Sequence, residues 1–154
     1  MRWSRSHTVT TTALPERIWA RWTTAQTWSL DDPSTTAAHF PEPPQAGDRG
    51  TVSGIGGTQK FVFTEIDRNR QMTFRIRLPG ARLVFPHSME QTAEGLRVTH
   101  AFWFDGPLAF LYGPLIGTRL IRELPTVVRL LVDHAIDDEL SPDTGQRTHG
   151  LPRA

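Results

Sequence analysis

Apolar and polar residues alternate through the middle of the chain, then give way to a helical period near its end. The cleanest alternation is Met72-Thr73-Phe74-Arg75-Ile76-Arg77-Leu78, which predicts a strand with Met72, Phe74, Ile76 and Leu78 facing a core and the others outward. Pro79-Gly80 turns the chain into a second run, Arg82 to Gln91, with Leu83, Phe85, His87 and Met89 on one face. Ala93-Glu94-Gly95 turns it again into Leu96–Phe104, where Leu96, Val98, His100, Phe102 and Phe104 share a face. Pairing about that turn sets Glu90 opposite Val98 and His87 opposite Ala101, which makes the two imidazoles near neighbours rather than facing partners. Arg49–Ser53 and Lys60–Ile66 read as a hairpin across Gly54-Ile55-Gly56-Gly57, and the run His7–Thr12 reads as a first strand. After it, Pro15 to Trp22 predicts a short helix, with Pro15 at its first position and Ile18 and Trp22 on one face. Thr24 to Trp28 predicts another turn or short helix, ended by Asp31-Asp32-Pro33, and a short edge strand is expected near Thr36–Phe40.

From Pro107 to Ala135 the period changes. Ile116, Leu120, Leu124, Val127, Leu131 and Ala135 recur at helical spacing and fall on one stripe. Pro125 interrupts the pattern, but the stripe stays in phase across it, which favours one kinked helix over two. One long amphipathic helix and one antiparallel sheet must bury each other's apolar faces. The expected architecture is α+β: a curved antiparallel sheet wrapped around the long C-terminal helix, with a cavity between them. Residues 1–137 form this domain, and the polar, aperiodic stretch 138–154 is expected to be a disordered tail.

Ala13-Leu14-Pro15-Glu16-Arg17-Ile18-Trp19, Phe63-Thr64-Glu65-Ile66-Asp67, and Leu96-Arg97-Val98-Thr99-His100 leading to Gly106-Pro107-Leu108-Ala109 carry a resemblance. With Gly117 and Leu124-Pro125 they make the chain similar to the helix-grip superfamily, which includes START domains, birch-pollen-allergen-like proteins and bacterial polyketide cyclase/dehydrase proteins. The resemblance spans about Ser6 to Ala135. It implies the helix-grip fold and a cavity for a small hydrophobic molecule, polyketide-, lipid- or polycyclic-like. It also implies an alternative, a polyketide cyclase or dehydratase working in that cavity. These are scaffold positions, and one fold hosts many functions.

Composition narrows the chemistry. The 154-residue chain has no cysteine, so disulfides, thiolate metal sites and a cysteine nucleophile are excluded, and a reducing cytoplasm fits. The opening MRWSRSHTVTTT carries no apolar run of leader length, and no stretch downstream is long enough to span a membrane. A net charge of +1, with Lys60 the only lysine and no basic stripe, argues against a nucleic-acid partner. No cofactor is called for. Gly54-Ile55-Gly56-Gly57 lies between strands and opens no helix, so it is no phosphate cradle.

His87 and His100 sit on apolar strand faces, either hydrogen-bonded in a wet cavity or acting as acid–base groups or polar anchors for a ligand oxygen. Tyr112 falls four residues before Ile116 and is a third acid–base candidate, with a structural role the alternative. A metal centre lacks ligand spacing. The expected lining is Trp28, Phe74, Ile76, Phe85, Met89, Val98, Phe102, Ile116 and Leu120, with Arg119 at the rim and Asp31-Asp32 either at the mouth or ending a helix. Glu65 lies in a strand of ambiguous phase, where a surface salt bridge is the simpler role. Trp103, out of phase with the inward set, is placed on the outer sheet face or in a homodimer contact. A pocketless interaction module remains as a third reading.

Overall fold

A computed structural model describes residues 2–140. The chain forms β1 (Trp3–Thr11), α1 (Pro15–Trp22), α2 (Ala25–Asp31), β2 (Thr35–His39), β3 (Arg49–Gly54), β4 (Gly57–Asp67), β5 (Gln71–Leu78), β6 (Ala81–Thr92) and β7 (Gly95–Asp105). There follow α3 (Ala109–Tyr112), a π-helical turn over Gly113–Gly117, and α4 (Thr118–Leu140). The strands make one curved antiparallel sheet in the order β1-β7-β6-β5-β4-β3-β2. β1 and β2 therefore occupy opposite edges although they are successive in sequence, and α1 and α2 carry the chain across. This is the helix-grip architecture.

Burial follows the alternation where strands run regularly. On β7, Leu96, Val98, His100, Phe102 and Phe104 are all buried, and on β5 so are Met72, Phe74 and Ile76. Thr73, on the opposite face, is buried as well, beneath the Thr64 and Gln71 side chains that bond to it. The ambiguous strand is explained by an irregularity. Register shifts between Phe63 and Glu65, so Phe61 and Phe63 point in while Glu65 lies exposed and accepts a hydrogen bond from Gln71 at 3.0 Å. Glu65 thus meets an amide rather than a salt-bridge partner. Trp103 lies on the outer face with the Arg2 guanidinium 4.6 Å over its ring.

The β6–β7 register differs from the expected one by a residue. Gly95, at φ +132°, belongs to β7 and pairs with Thr92, so the turn is Ala93-Glu94 alone. Glu90 consequently faces Arg97, and His87 faces His100 directly. Just beyond that pair the ladder to β7 is interrupted at Phe85 and Pro86, since Pro86 has no N–H to give.

The C-terminal helical region is less uniform than its stripe implies. Helix α4 runs unbroken through Pro125, which removes the two-helix alternative. It also reaches Leu140, so residues 138–140 of the expected tail are helical; residues 141–154 lie outside the described part. The irregular point is the π turn. Trp3, added to β1 ahead of the expected start, packs against Phe102 and Phe104 and fills the space that Gly113 and Gly117 leave open. A methyl at Gly117 would sit 2.2 Å from the Trp3 ring. Gly117→Ala gains about 1 kcal/mol of helix propensity but forces overpacking worth roughly 1–3 kcal/mol. A net loss of about 1 kcal/mol is expected in urea unfolding, and Trp3→Leu in the same chain should remove it.

Candidate ligand-binding cavity

α4 seals only its second half against the sheet. Val128, Leu131, Val132 and Ala135 are buried, whereas Ile116, Leu120, Leu124 and Val127 remain partly open on the same stripe. The space they face is a cavity of about 450 Å³ between helix and sheet. Its wall includes Trp28, Phe74, Ile76, Phe85, Phe102, Ile116 and Leu120, together with His87 and His100. Ile55, at the tip of the β3–β4 hairpin, and Leu115, in the π turn, are 76% and 74% exposed and mark the mouth. The aromatic wall is ordered by stacking: Trp28 on Phe61 at 5.4 Å and Phe74 on Phe85 at 4.9 Å between ring centres.

Three expected site residues are elsewhere. Met89 and Val98 belong to the closed core near the hairpin end of β6 and β7 and do not line the cavity. Tyr112 stacks on Phe104 and donates its hydroxyl to the Pro79 carbonyl at 2.8 Å, outside the cavity. A π turn rather than an α turn separates it from Ile116, so the α-helical register that the spacing assumes is not kept between the two residues.

The histidines are held on facing positions of adjacent strands, their ring centres 4.2 Å apart and nearly perpendicular. Trp22 donates its indole N–H to His100 Nε2 at 3.1 Å. An indole nitrogen can only donate, so His100 Nε2 carries a lone pair and Nδ1 carries the proton. His87 Nδ1 lies 3.1 Å from the Phe85 carbonyl, which can only accept, so here Nδ1 holds the proton and Nε2 the lone pair. Burial disfavours the imidazolium in both. It lowers the His87 pKa to about 4 despite the Phe85 and Met72 carbonyls, and it lowers His100 well below its ordinary value, helped by the charges that His87 and His7 would carry. Both rings are neutral at pH 7.

Charged groups on the wall satisfy one another. Arg21, on α1, is buried and grips Asp31 on α2 through Nε at 2.9 Å and Nη2 at 2.7 Å. Its Nη1 reaches Asp138 on α4 at 2.8 Å, and His134 Nδ1 meets Asp31 at 2.7 Å. Burial penalises the Arg21 charge, but the bonds and charges of Asp31 and Asp138 outweigh it, so the pKa is raised. Asp31 thus locks three helices together on the cavity wall, and its neighbour Asp32 caps the turn through Ser34. Arg119 lies on the wall, as expected, and is bonded to Glu123 at 3.0 Å. The sequence carries no sign of the Arg21 cluster, because its bonded partners lie 10 to 117 residues apart. Among the described residues no group of three or more His, Asp or Glu side chains is placed to hold a metal, and no helix is long and apolar enough to cross a membrane.

Known structures share this fold. Norcoclaurine synthase from Thalictrum flavum, solved with dopamine and hydroxybenzaldehyde, superposes with a TM-score of 0.67 at 11% identity, over 89% of this chain and 88% of that one. The di-domain ARO/CYC StfQ from the steffimycin biosynthetic pathway gives 0.72 at 10% identity, over 90% of this chain and 52% of that one. A protein of Nitrosomonas europaea gives 0.68 at 10% identity, over 88% and 95%. At these identities the likeness is one of fold. No curated protein matches the sequence significantly. The family described as polyketide cyclase / dehydrase and lipid transport matches residues 2–135, and the chain belongs to that family.

Proposed function

We propose that the protein binds a small hydrophobic molecule, polyketide-, lipid- or polycyclic-like, in the cavity between the sheet and α4. The observation that carries this reading is the incomplete seal of α4. Half of its apolar stripe faces about 450 Å³ of aromatic-walled space with an open mouth, within the usual range for a small-molecule site. The description of the family supports it. Native mass spectrometry of freshly purified protein should reveal an apolar adduct that leaves on unfolding. The neutral fluorophore N-phenyl-1-naphthylamine should bind, and Leu120→Trp, which fills the cavity, should weaken it by about tenfold or more while the fold persists. Unchanged affinity in that variant would sink the reading.

Catalysis in the same cavity is the second reading, favoured by the family description and by the facing imidazoles. A poly-β-ketone would be held in one conformer there and closed by aldol chemistry and loss of water. A pKa of about 4 makes His87 a weak proton acceptor at neutral pH, which ranks binding first. If catalysis operates, a poly-β-ketone substrate should give a different distribution of cyclised products with the protein than without it, and His87→Phe should abolish the difference.

A further inference from the structure

Among the aromatic side chains of the cavity wall stands one polar pair, His87 and His100, whose two hydrogen-bonding atoms are of opposite kind. His87 Nε2 offers a lone pair and His100 Nδ1 offers a proton, each tautomer being fixed by a partner on the other ring nitrogen. Neither free nitrogen has a protein hydrogen-bond partner. The one side-chain polar atom among the described residues that is sealed from solvent without a partner is Asn69 Oδ1, so both histidine nitrogens retain accessible surface, and both residues line the cavity. The rings are tightly fixed. His87 stacks on Phe74 at 5.7 Å, and Trp22 lies edgewise against it at 5.6 Å while bonding His100.

The remaining charges on the wall oppose an anion. Arg21 is spent on Asp31 and Asp138, and Arg119 on Glu123. The lining holds two arginines against three carboxylates, Asp31, Asp32 and Glu123. A carboxylate brought inside would be desolvated with no unpaired cation to meet it.

Resting on the binding reading above, we infer that the cavity selects an uncharged aromatic or polyene molecule bearing a hydroxyl, phenol or enol, whose oxygen donates to His87 and accepts from His100. A single hydroxyl can do both. The aromatic wall formed by Trp28, Phe74 and Phe85 would take the rest of the molecule.

Calorimetry with three probes of one shape tests this: naphthalene, 2-naphthol and 2-naphthoate at pH 7.5. Two neutral hydrogen bonds should make 2-naphthol bind about tenfold tighter than naphthalene, with 2-naphthoate weakest. In His87→Phe, which keeps a ring of similar size, that preference should disappear. If the variant does not fold, the wild-type protein still decides the matter. In spectra of protein labelled with ¹⁵N-histidine, 2-naphthol should shift both His87 Nε2 and His100 Nδ1, and naphthalene should shift neither. Equal affinity for naphthol and naphthalene, tightest binding of naphthoate, or unmoved nitrogens would each overturn the polar selection and leave the apolar cavity standing. Failure of naphthalene and naphthol alike to bind would remove the cavity reading and this inference with it.

Discussion

Replacing Asp31 with alanine is expected to destabilise the protein by about 3–5 kcal/mol, the usual effect of stranding a buried charge. Arg21 is 6% exposed and makes three of its four short contacts with this one carboxylate. Without it the guanidinium keeps only Asp138, whose side chain is 43% exposed and holds its charge in higher dielectric. Since domains of this size are stable by only about 5–15 kcal/mol, the variant should be partly unfolded at moderate temperature. The double replacement Arg21→Met with Asp31→Leu should be far milder, because it removes both charges and restores apolar packing. Urea midpoints of the wild type and the two variants check this. A double variant no better than Asp31→Ala would mean that the ion pair is not the source of the loss. Both residues line the cavity, so the double variant also shows whether ligand uptake needs the charges or only the helix packing they enforce.

The second large effect is on pH. A histidine held neutral by burial takes up its proton near pH 6.5 when the chain is unfolded but only near 4 when folded. Between those values the unfolded state binds more protons, so stability falls as pH falls. The His87 contribution is intact above about pH 6.5 and is reduced by roughly 3 kcal/mol on reaching pH 4. His100, also lowered by burial, adds to the loss in the same direction. Thermal unfolding between pH 7.5 and 4 should show a steep decline in the wild type and a shallower one in His87→Phe. Parallel curves would relieve His87 of this role.

Which features were legible in the sequence follows from how local their causes are. The Met72–Leu78 alternation and the Ile116–Ala135 stripe are short-range patterns, and both were realised as strand and helix against one core. The facing of His87 and His100 turned on one residue. Treating Gly95 as part of the turn shifts every pair between β6 and β7, and its positive φ gives no indication of whether it lies inside the ladder or outside it. The spacing of Tyr112 from Ile116 assumes an α turn, whereas Gly113–Gly117 is a π turn packed against Trp3, more than a hundred residues earlier. The Arg21, Asp31, His134 and Asp138 cluster is bonded only between residues far apart in sequence, because it exists where three helices converge.

The pairing of β1 with β7 has a consequence for how the chain is made. Trp3 lies opposite Phe104 and Thr11 opposite Leu96, so the first strand to be synthesised waits for the last. Until β7 emerges from the ribosome, β1 has no neighbour in the sheet, since its other side is an edge. Contacts this distant in sequence slow folding, because the loop must close before the pairing repays it. The β3–β4–β5–β6 meander, joined by short hairpins, can assemble on its own schedule. The histidines of the cavity come together in the step that joins β7 to it, and β1 completes the sheet by pairing on the far side of β7.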